Sequence, residues 1–264
     1  MKRRFVVNEA PPRGRHGSHA TTMYGIHAVA ARLAATPPLV DHLYVRDDPS
    51  PRVSELAATA SARGIPVSRM PIAALARMCG SDQHQGVAAS VPPFRYAELD
   101  DVIARGTPRL VALDQLRDPQ NLGALLRSAE AAGFAAVVLP RDGAAGVTAS
   151  VEKAAAGSAM RVAVVRVVNV ARTLRELKAH TYWVVGLSAR ADADLFQFVP
   201  PERLALVLGG ESGLRRLVQE ECDQLLSIPM AGQTESLNAS VAGALAMYAL
   251  RRGAQRLGAS ARSA

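Results

Sequence analysis

The sequence predicts an α/β protein built in two units, and three observations carry that expectation. From Met23 onward, short apolar strands alternate with helices. In the second half the strands are continuous apolar runs, as in LVALD, AAVVLP and RLALVLGG, which fits a mostly parallel sheet covered on both faces. Between the two alternations, Pro92-Pro93 opens a segment of mixed character.

The elements follow in order. Residues 1–22 carry Lys2, Arg3, Arg4, Arg13 and Arg15 among proline, glycine and serine, a composition too polar to bury a core. They read as a disordered basic leader with no apolar stretch of the secretory kind behind the charges. The first unit, 23–92, reads as helix 26–33, strand 39–45, helix 53–64, strand 66–70, helix 72–80 and strand 85–91. Residues 93–108 read as a linker with one helical turn. The second unit, 109–253, opens with strand 110–114 and helix 119–133, the latter announced by Asp118-Pro119 and striped by Leu122, Leu125, Leu126 and Ala129. Strand 135–140, helix 147–159, strand 162–168, helix 171–180 and strand 182–187 come next. Strand 203–210, helix 214–225, strand 225–230 and a long helix 237–253 complete it, with 254–264 as a flexible tail. The closing helix is rich in small residues, which suits close packing in a core or at a subunit interface. Arg251 and Arg252 at its end complement the helix dipole.

The 264 residues suffice for one large or two smaller cores. No run approaches the roughly 18 to 20 apolar residues of a membrane span. Cys79 and Cys222 lie far apart without a CxxC or clustered histidines, which argues against a zinc site or a disulfide framework and for a reducing cytoplasm. A formal charge of +8 points to a polyanionic partner, RNA or DNA. With aromatics at 4%, contacts to phosphate and backbone are expected over a stacking platform.

Three stretches stand out as chemistry. In DPQNLGALLRSAEAAG, the polar Asn121 and Arg127 and the flexible Gly123 sit in the first turns of a helix that plain helix formers would serve better. Strand 110–114 lacks a following GxGxxG, and the glycine-rich turn comes late, at LGGESGL. Gly209 and Gly210 there allow a ligand to approach backbone, and Glu211 favours a neutral or cationic one over phosphate. In SIPMAGQTESLNASVA, Ser236 and Asn238 flank Leu237 at a helix start, where Ser236 also suits a plain N-cap.

Together and in this order, the three stretches resemble motifs one, two and three of the SpoU (TrmH) family, S-adenosylmethionine-dependent RNA 2′-O-ribose methyltransferases of the SPOUT class. The resemblance covers roughly residues 23–252 and includes MYGIHAV and HQGVAA in the first unit, which look like the small RNA-binding domain of family members that methylate a guanosine in the P loop of 23S rRNA. It implies a deep trefoil knot in the C-terminal sheet, a ribosomal-protein-like α/β N-terminal domain and a homodimer joined through the closing helix. It also implies S-adenosylmethionine as cofactor, rRNA as substrate, and neither metal nor membrane. Carried over residue by residue, it places Asn121 and Arg127 beside the reacting ribose, with Glu211, Ser236 and Asn238 completing the polar site. Backbone around Leu187, Gly209, Gly210, Ile228, Met230 and Leu237 would hold the cofactor. GGESG is one residue shorter after Glu211 than the family's usual second motif, and Gly243 comes one place early in the third.

Arginine stays protonated near neutrality, so the expected role of Arg127 is to stabilise a developing alkoxide or hold an RNA phosphate rather than to act as base. Its plain alternative is an i,i+3 pair with Glu130. Two other functions share these features: ribose methylation of tRNA or of another rRNA site, and non-catalytic RNA binding in ribosome assembly.

Overall fold

The computed structural model describes residues 21–260. In chain order its elements are β1 (Thr21–Tyr24), α1 (Ile26–Leu33), β2 (His42–Arg46), α2 (Pro51–Ala62), β3 (Val67–Met70), α3 (Ile72–Cys79) and β4 (Val87–Val91). They continue with α4 (Leu99–Ala104), β5 (Arg109–Asp114), α5 (Pro119–Ala132), β6 (Ala136–Pro140), α6 (Ala149–Ala154), β7 (Ala163–Val167) and α7 (Val170–Ala179). The chain then runs through β8 (Trp183–Leu187), β9 (Ala193–Asp194), β10 (Leu204–Gly209), α8 (Arg216–Glu220), β11 (Gln224–Ser227) and α9 (Ala239–Ser260). It divides into two compact units, one running to Arg95 and including Val147–Arg161, the other formed by Tyr96–Gly146 and Val162 onward.

The first unit is a four-stranded sheet in the order β1-β4-β2-β3, antiparallel except for β2 beside β3. Val29, Leu33, Leu43, Val45, Val53 and Val87 form its core, because helical and strand periodicities turn these positions to one side. Residues 147–161 join this unit, although the alternation of strands and helices assigns them to the second. The physical reason is a buried ion pair. Arg32 on α1 donates to both carboxylate oxygens of Glu152 on α6, at 3.0 and 2.7 Å, and a third bond reaches the carbonyl of Pro92 at 3.0 Å. The two side chains are 3% and 7% exposed. Burial pushes the Glu152 pKa up, and the hydrogen bonds and charge of Arg32 oppose that rise. The helix expected over 147–159 breaks because Ala156 (φ 51°) and Gly157 (φ 86°) both take the left-handed conformation. A Cβ on Gly157 would lie 2.7 Å from that of Ala31, so α1 packs against bare backbone there.

The second unit is a seven-stranded sheet in the order β7-β6-β5-β10-β8-β11-β9, parallel throughout. It has the α/β class and parallel sheet expected. Strands β5, β6 and β10 are almost wholly buried, which is why they read as unbroken apolar runs. Asp118 caps α5 by accepting from the amides of Gln120 and Asn121, at 3.0 and 3.3 Å, and Gly133 ends the helix at φ 81°. Helix α9 packs on α5 and β10 through Gly243, where a Cβ would come within 2.4 Å of Leu125 and 2.7 Å of Leu208.

Several boundaries differ from the sequence reading. The linker expected over 93–108 contains α4, and from Tyr96 it belongs to the second unit. Ala97 bridges to Val165, Val102 is buried, and the Tyr182 hydroxyl donates to the Thr107 carbonyl. Strands β1 and β9 went unpredicted because each is short and lacks an apolar run. Thr21 and Thr22, counted in the basic leader, begin β1, and the rest of the leader lies outside the described residues. Helix α9 passes through Gly253 to Ser260, so most of the expected tail is helical and only 261–264 lie outside the description. An interior glycine costs a helix about 1 kcal/mol, too little to end a helix rich in alanine. Arg251 donates to the Ala131 carbonyl at 2.9 Å, so it complements the C-terminus of α5 instead of its own helix. Among the described residues, no helix is long and apolar enough to cross a membrane.

Glu152→Ala strands the Arg32 charge, and we expect it to destabilise the protein by about 3–5 kcal/mol in urea unfolding. Arg32→Met with Glu152→Leu should restore most of that loss. A single variant as stable as the parent would remove the ion pair as the anchor of 147–161.

Candidate active site

The carboxyl ends of β5, β10, β8 and β11 point toward one group of loops, where ligands of open α/β sheets bind. At the centre is Asp114, the last residue of β5 and 0% exposed. Its carboxylate accepts from the Arg215 amide at 2.8 Å and from Nε of the same residue at 2.8 Å, and it lies 2.6 Å from Nη2. Its carbonyl accepts from the Gly210 amide at 2.9 Å. One residue thus ties the end of β5 to both sides of the LGGESGL turn.

The turn explains its own glycines. Gly213 (φ 76°) donates its amide to the Gly210 carbonyl at 3.0 Å, closing a tight loop. A Cβ on Gly209 would sit 2.3 Å from the Gly213 carbonyl carbon, and one on Gly210 would sit 2.5 Å from the Gln115 oxygen. The close approach expected at these glycines is therefore made first by the protein's own backbone. Gly186 is bare for a similar reason, since a Cβ there would meet Leu225 at 2.6 Å and Cys222 at 2.8 Å.

Beside this turn lies a cleft of about 680 Å³, within the size range of small-molecule sites. It gathers Asn121 from α5, Leu187 from β8, Gly209, Gly210 and Glu211 from the turn, and Ile228, Met230, Ser236, Leu237 and Asn238 from the loop before α9. Three stretches far apart in sequence meet here. Asn238, rather than Ser236, caps α9: its Oδ1 accepts from the Ser240 amide at 2.9 Å, the Val241 amide at 3.4 Å and the Ser240 hydroxyl at 2.6 Å. Met230 and Leu237 remain 39% and 36% exposed at the cleft, an apolar surface open to a ligand.

Arg127 is the exception. It stands exposed on α5 and does not line the cleft, six positions beyond Asn121 and so on a different face of the helix. The sequence reading also missed Arg190 and Glu235, which line the cleft, and Asp114. Nothing in the local pattern marks the first two. Asp114 could have been noticed as an acid ending a buried strand. Cys222 is no nucleophile: burial first, then Asp223, pushes its pKa up to about 12. Among the described residues no group of three or more histidines, cysteines, aspartates or glutamates is placed to hold a metal.

The cleft suits S-adenosylmethionine on its own terms. Apolar Leu187, Ile228, Met230 and Leu237 offer a surface for a flat ring, and Glu211 and Glu235 favour a ligand carrying positive charge. Arg190 supplies a cation for a carboxylate.

The family model described as the SpoU rRNA Methylase family matches residues 108–248, and that for RNA 2′-O ribose methyltransferase substrate binding matches 22–97. The 23S rRNA (guanosine-2′-O-)-methyltransferase RlmB of Escherichia coli is 42% identical over 234 residues, covering 86% of this chain and 96% of that protein. The protein of the same name from Xanthomonas axonopodis is 43% identical over 242 residues, covering 89% and 96%. Among solved structures, the SpoU methyltransferase AviRb from Streptomyces viridochromogenes in complex with AdoMet gives a TM-score of 0.73 at 26% identity over 90% of both chains. An AdoMet-bound rRNA methyltransferase from Sinorhizobium meliloti gives 0.71 at 25% identity, covering 88% of this chain and 87% of that one.

Asp114→Ala removes the tie between β5 and the turn. We expect a loss of about 2–3 kcal/mol in unfolding free energy, since the Arg215 it leaves behind is half exposed and can rehydrate. Gly209→Ala should lower the melting temperature as well, because its Cβ meets backbone that cannot give way. A wild-type melting curve for both would show that the turn is held by something else.

Proposed function

The chain belongs to the SpoU rRNA methylase family and is an S-adenosylmethionine-dependent RNA ribose 2′-O-methyltransferase, and we propose that its target is a guanosine of 23S rRNA. The observation that carries the reading is the meeting at one cleft of Asn121 with Gly209–Glu211 and Ser236–Asn238, which lie more than eighty residues beyond it. The identity to RlmB proteins over most of both chains supports the guanosine. An rRNA substrate supports a cytoplasmic location for the enzyme.

S-adenosylmethionine supplies a sulfonium-bound methyl group. Transfer of that methyl to the ribose 2′-oxygen would exchange a carbon–sulfur bond for a carbon–oxygen bond, leave a neutral thioether and release the hydroxyl proton to bulk solvent. The charges of alkoxide and sulfonium cancel, so the protein contributes mainly alignment and exclusion of water. Leu187, Ile228, Met230 and Leu237 would fix the cofactor, and Gly209 and Gly210 bring backbone to its edge. Asn121 and Glu211 border the space left for the ribose. Arg127, exposed and outside the cleft, suits the second of its expected roles, holding an RNA phosphate. The trefoil knot belongs to this reading too: β10 lies between β5 and β8, and β11 between β8 and β9, a non-sequential order that suits a threaded chain.

The working form we propose is a homodimer. Val241, Leu245 and Tyr248 form one stripe on α9, 49%, 41% and 50% exposed, opposite the face that packs through Gly243. A second copy of the same helix would cover it.

Calorimetry should detect one S-adenosylmethionine per chain, and Asn121→Ala should lower turnover. Deletion of the gene should remove one ribose methyl from 23S rRNA on mass mapping; an unchanged map with a lost tRNA methyl would move the target. Arg127→Lys should lower the rate without moving the pH–rate profile, and a shifted basic limb would make Arg127 the base. Tyr248→Glu should turn a dimer into a monomer by light scattering, and a monomeric parent would end the dimer proposal.

A further inference from the structure

A second cleft, of about 460 Å³, lies against the first and shares Asn121, Gly210, Glu211 and Ser212 with it. Its other wall is the loop Gln115–Asp118, of which Gln115–Arg117 precede the first motif stretch. The loop is fastened at nearly every residue but one. Gln115 takes a left-handed conformation, φ 58°, which a residue other than glycine adopts at a cost and which surrounding structure must impose. Its carbonyl abuts Gly210, the contact that forbids a side chain there. Leu116 is 4% exposed, and its carbonyl accepts from the Ala145 amide at 2.9 Å. Asp118 is occupied by the cap of α5. Only Arg117 faces outward, and among the described residues it has neither hydrogen bond nor ion pair.

An anchored loop that presents a single unpaired guanidinium at a cleft is a preorganised anion contact. The free amides at the start of α5 do not compete for the anion, because Asp118 takes those of Gln120 and Asn121. Glu211 repels an anion from the opposite wall, while the Asp118 carboxylate is turned to the amides of α5, which leaves the rim at Arg117 as the place for it. With the cofactor in the first cleft, the second takes the nucleotide, and its backbone carries one phosphate per residue. We propose that Arg117 binds an RNA backbone phosphate next to the target ribose and so sets which nucleotide reaches the shared wall. This rests on the functional reading above.

The test uses the whole enzyme and an in vitro transcript of 23S rRNA. Arg117→Ala should weaken transcript binding about tenfold, the worth of one charged hydrogen-bonded contact. It should lower the slope of log affinity against log salt by about one, with S-adenosylmethionine affinity by calorimetry unchanged. Arg117→Lys should regain the salt slope, because that slope counts the phosphates neutralised and a lysine neutralises one as well. Gln115→Gly, at a conformation glycine accepts freely, should melt no lower than the parent yet bind the transcript less well, since the loop loses its rigidity. Parental affinity and salt slope in Arg117→Ala would overturn the proposal while the parent still methylates the transcript. A parent that transfers no methyl to the transcript would overturn the functional reading first.

Discussion

The site is built around one buried carboxylate. Asp114 ends a strand in the middle of a parallel sheet, where an uncompensated charge would be untenable. Its two oxygens are matched by an amide and a guanidinium from the same residue, Arg215, five positions beyond Gly210. This brings the glycine turn back over the strand ends and gives the cleft a fixed wall. Gly209, Gly210 and Gly213 follow from it, because a chain folded that tightly leaves no room for a Cβ at the first two and needs a left-handed residue at the third. The same turn presses on the Gln115 carbonyl, so the conformation of the neighbouring loop is part of the same arrangement.

The first unit rests on a comparable device. The Arg32–Glu152 pair joins helices 120 residues apart in sequence, and the carbonyl of Pro92 shares the guanidinium. The segment it holds leaves the second unit after Gly146 and returns to it at Val162. The chain therefore contributes to the first unit from within the span of the second. The family models match contiguous stretches, 22–97 and 108–248, whereas the structural units are interleaved in covalent order.

Much of this was legible beforehand, and the limits have physical causes. Strands β5, β6 and β10 were readable because both faces are buried and their central residues had to be apolar. Helix α5 was readable because Asp118, Pro119 and Gly133 mark its ends with local chemistry. Every residue expected at the cofactor lines the cleft, since three motifs at set separations carry more information than any one. What escaped depends on partners distant in sequence. Nothing near Glu152 reveals that it pairs with Arg32, and nothing near Asp114 reveals Arg215. Ser236 and Asn238 are both respectable caps by composition, and only the helix start at Ala239 chooses between them. The placement of Arg127 off the cleft is likewise a matter of helical phase, which a motif written as letters does not display.

The cap of α9 limits what the loop before it can do with protons. The Asn238 oxygen already receives two amides and a hydroxyl, which exhausts its lone pairs and fixes the carboxamide's orientation. What it has left to offer a substrate is its NH₂ group alone. At that point the wall is a donor of fixed polarity. It can recognise oxygen atoms that carry lone pairs, and it has no vacancy in which to receive the hydrogen that a ribose hydroxyl gives up.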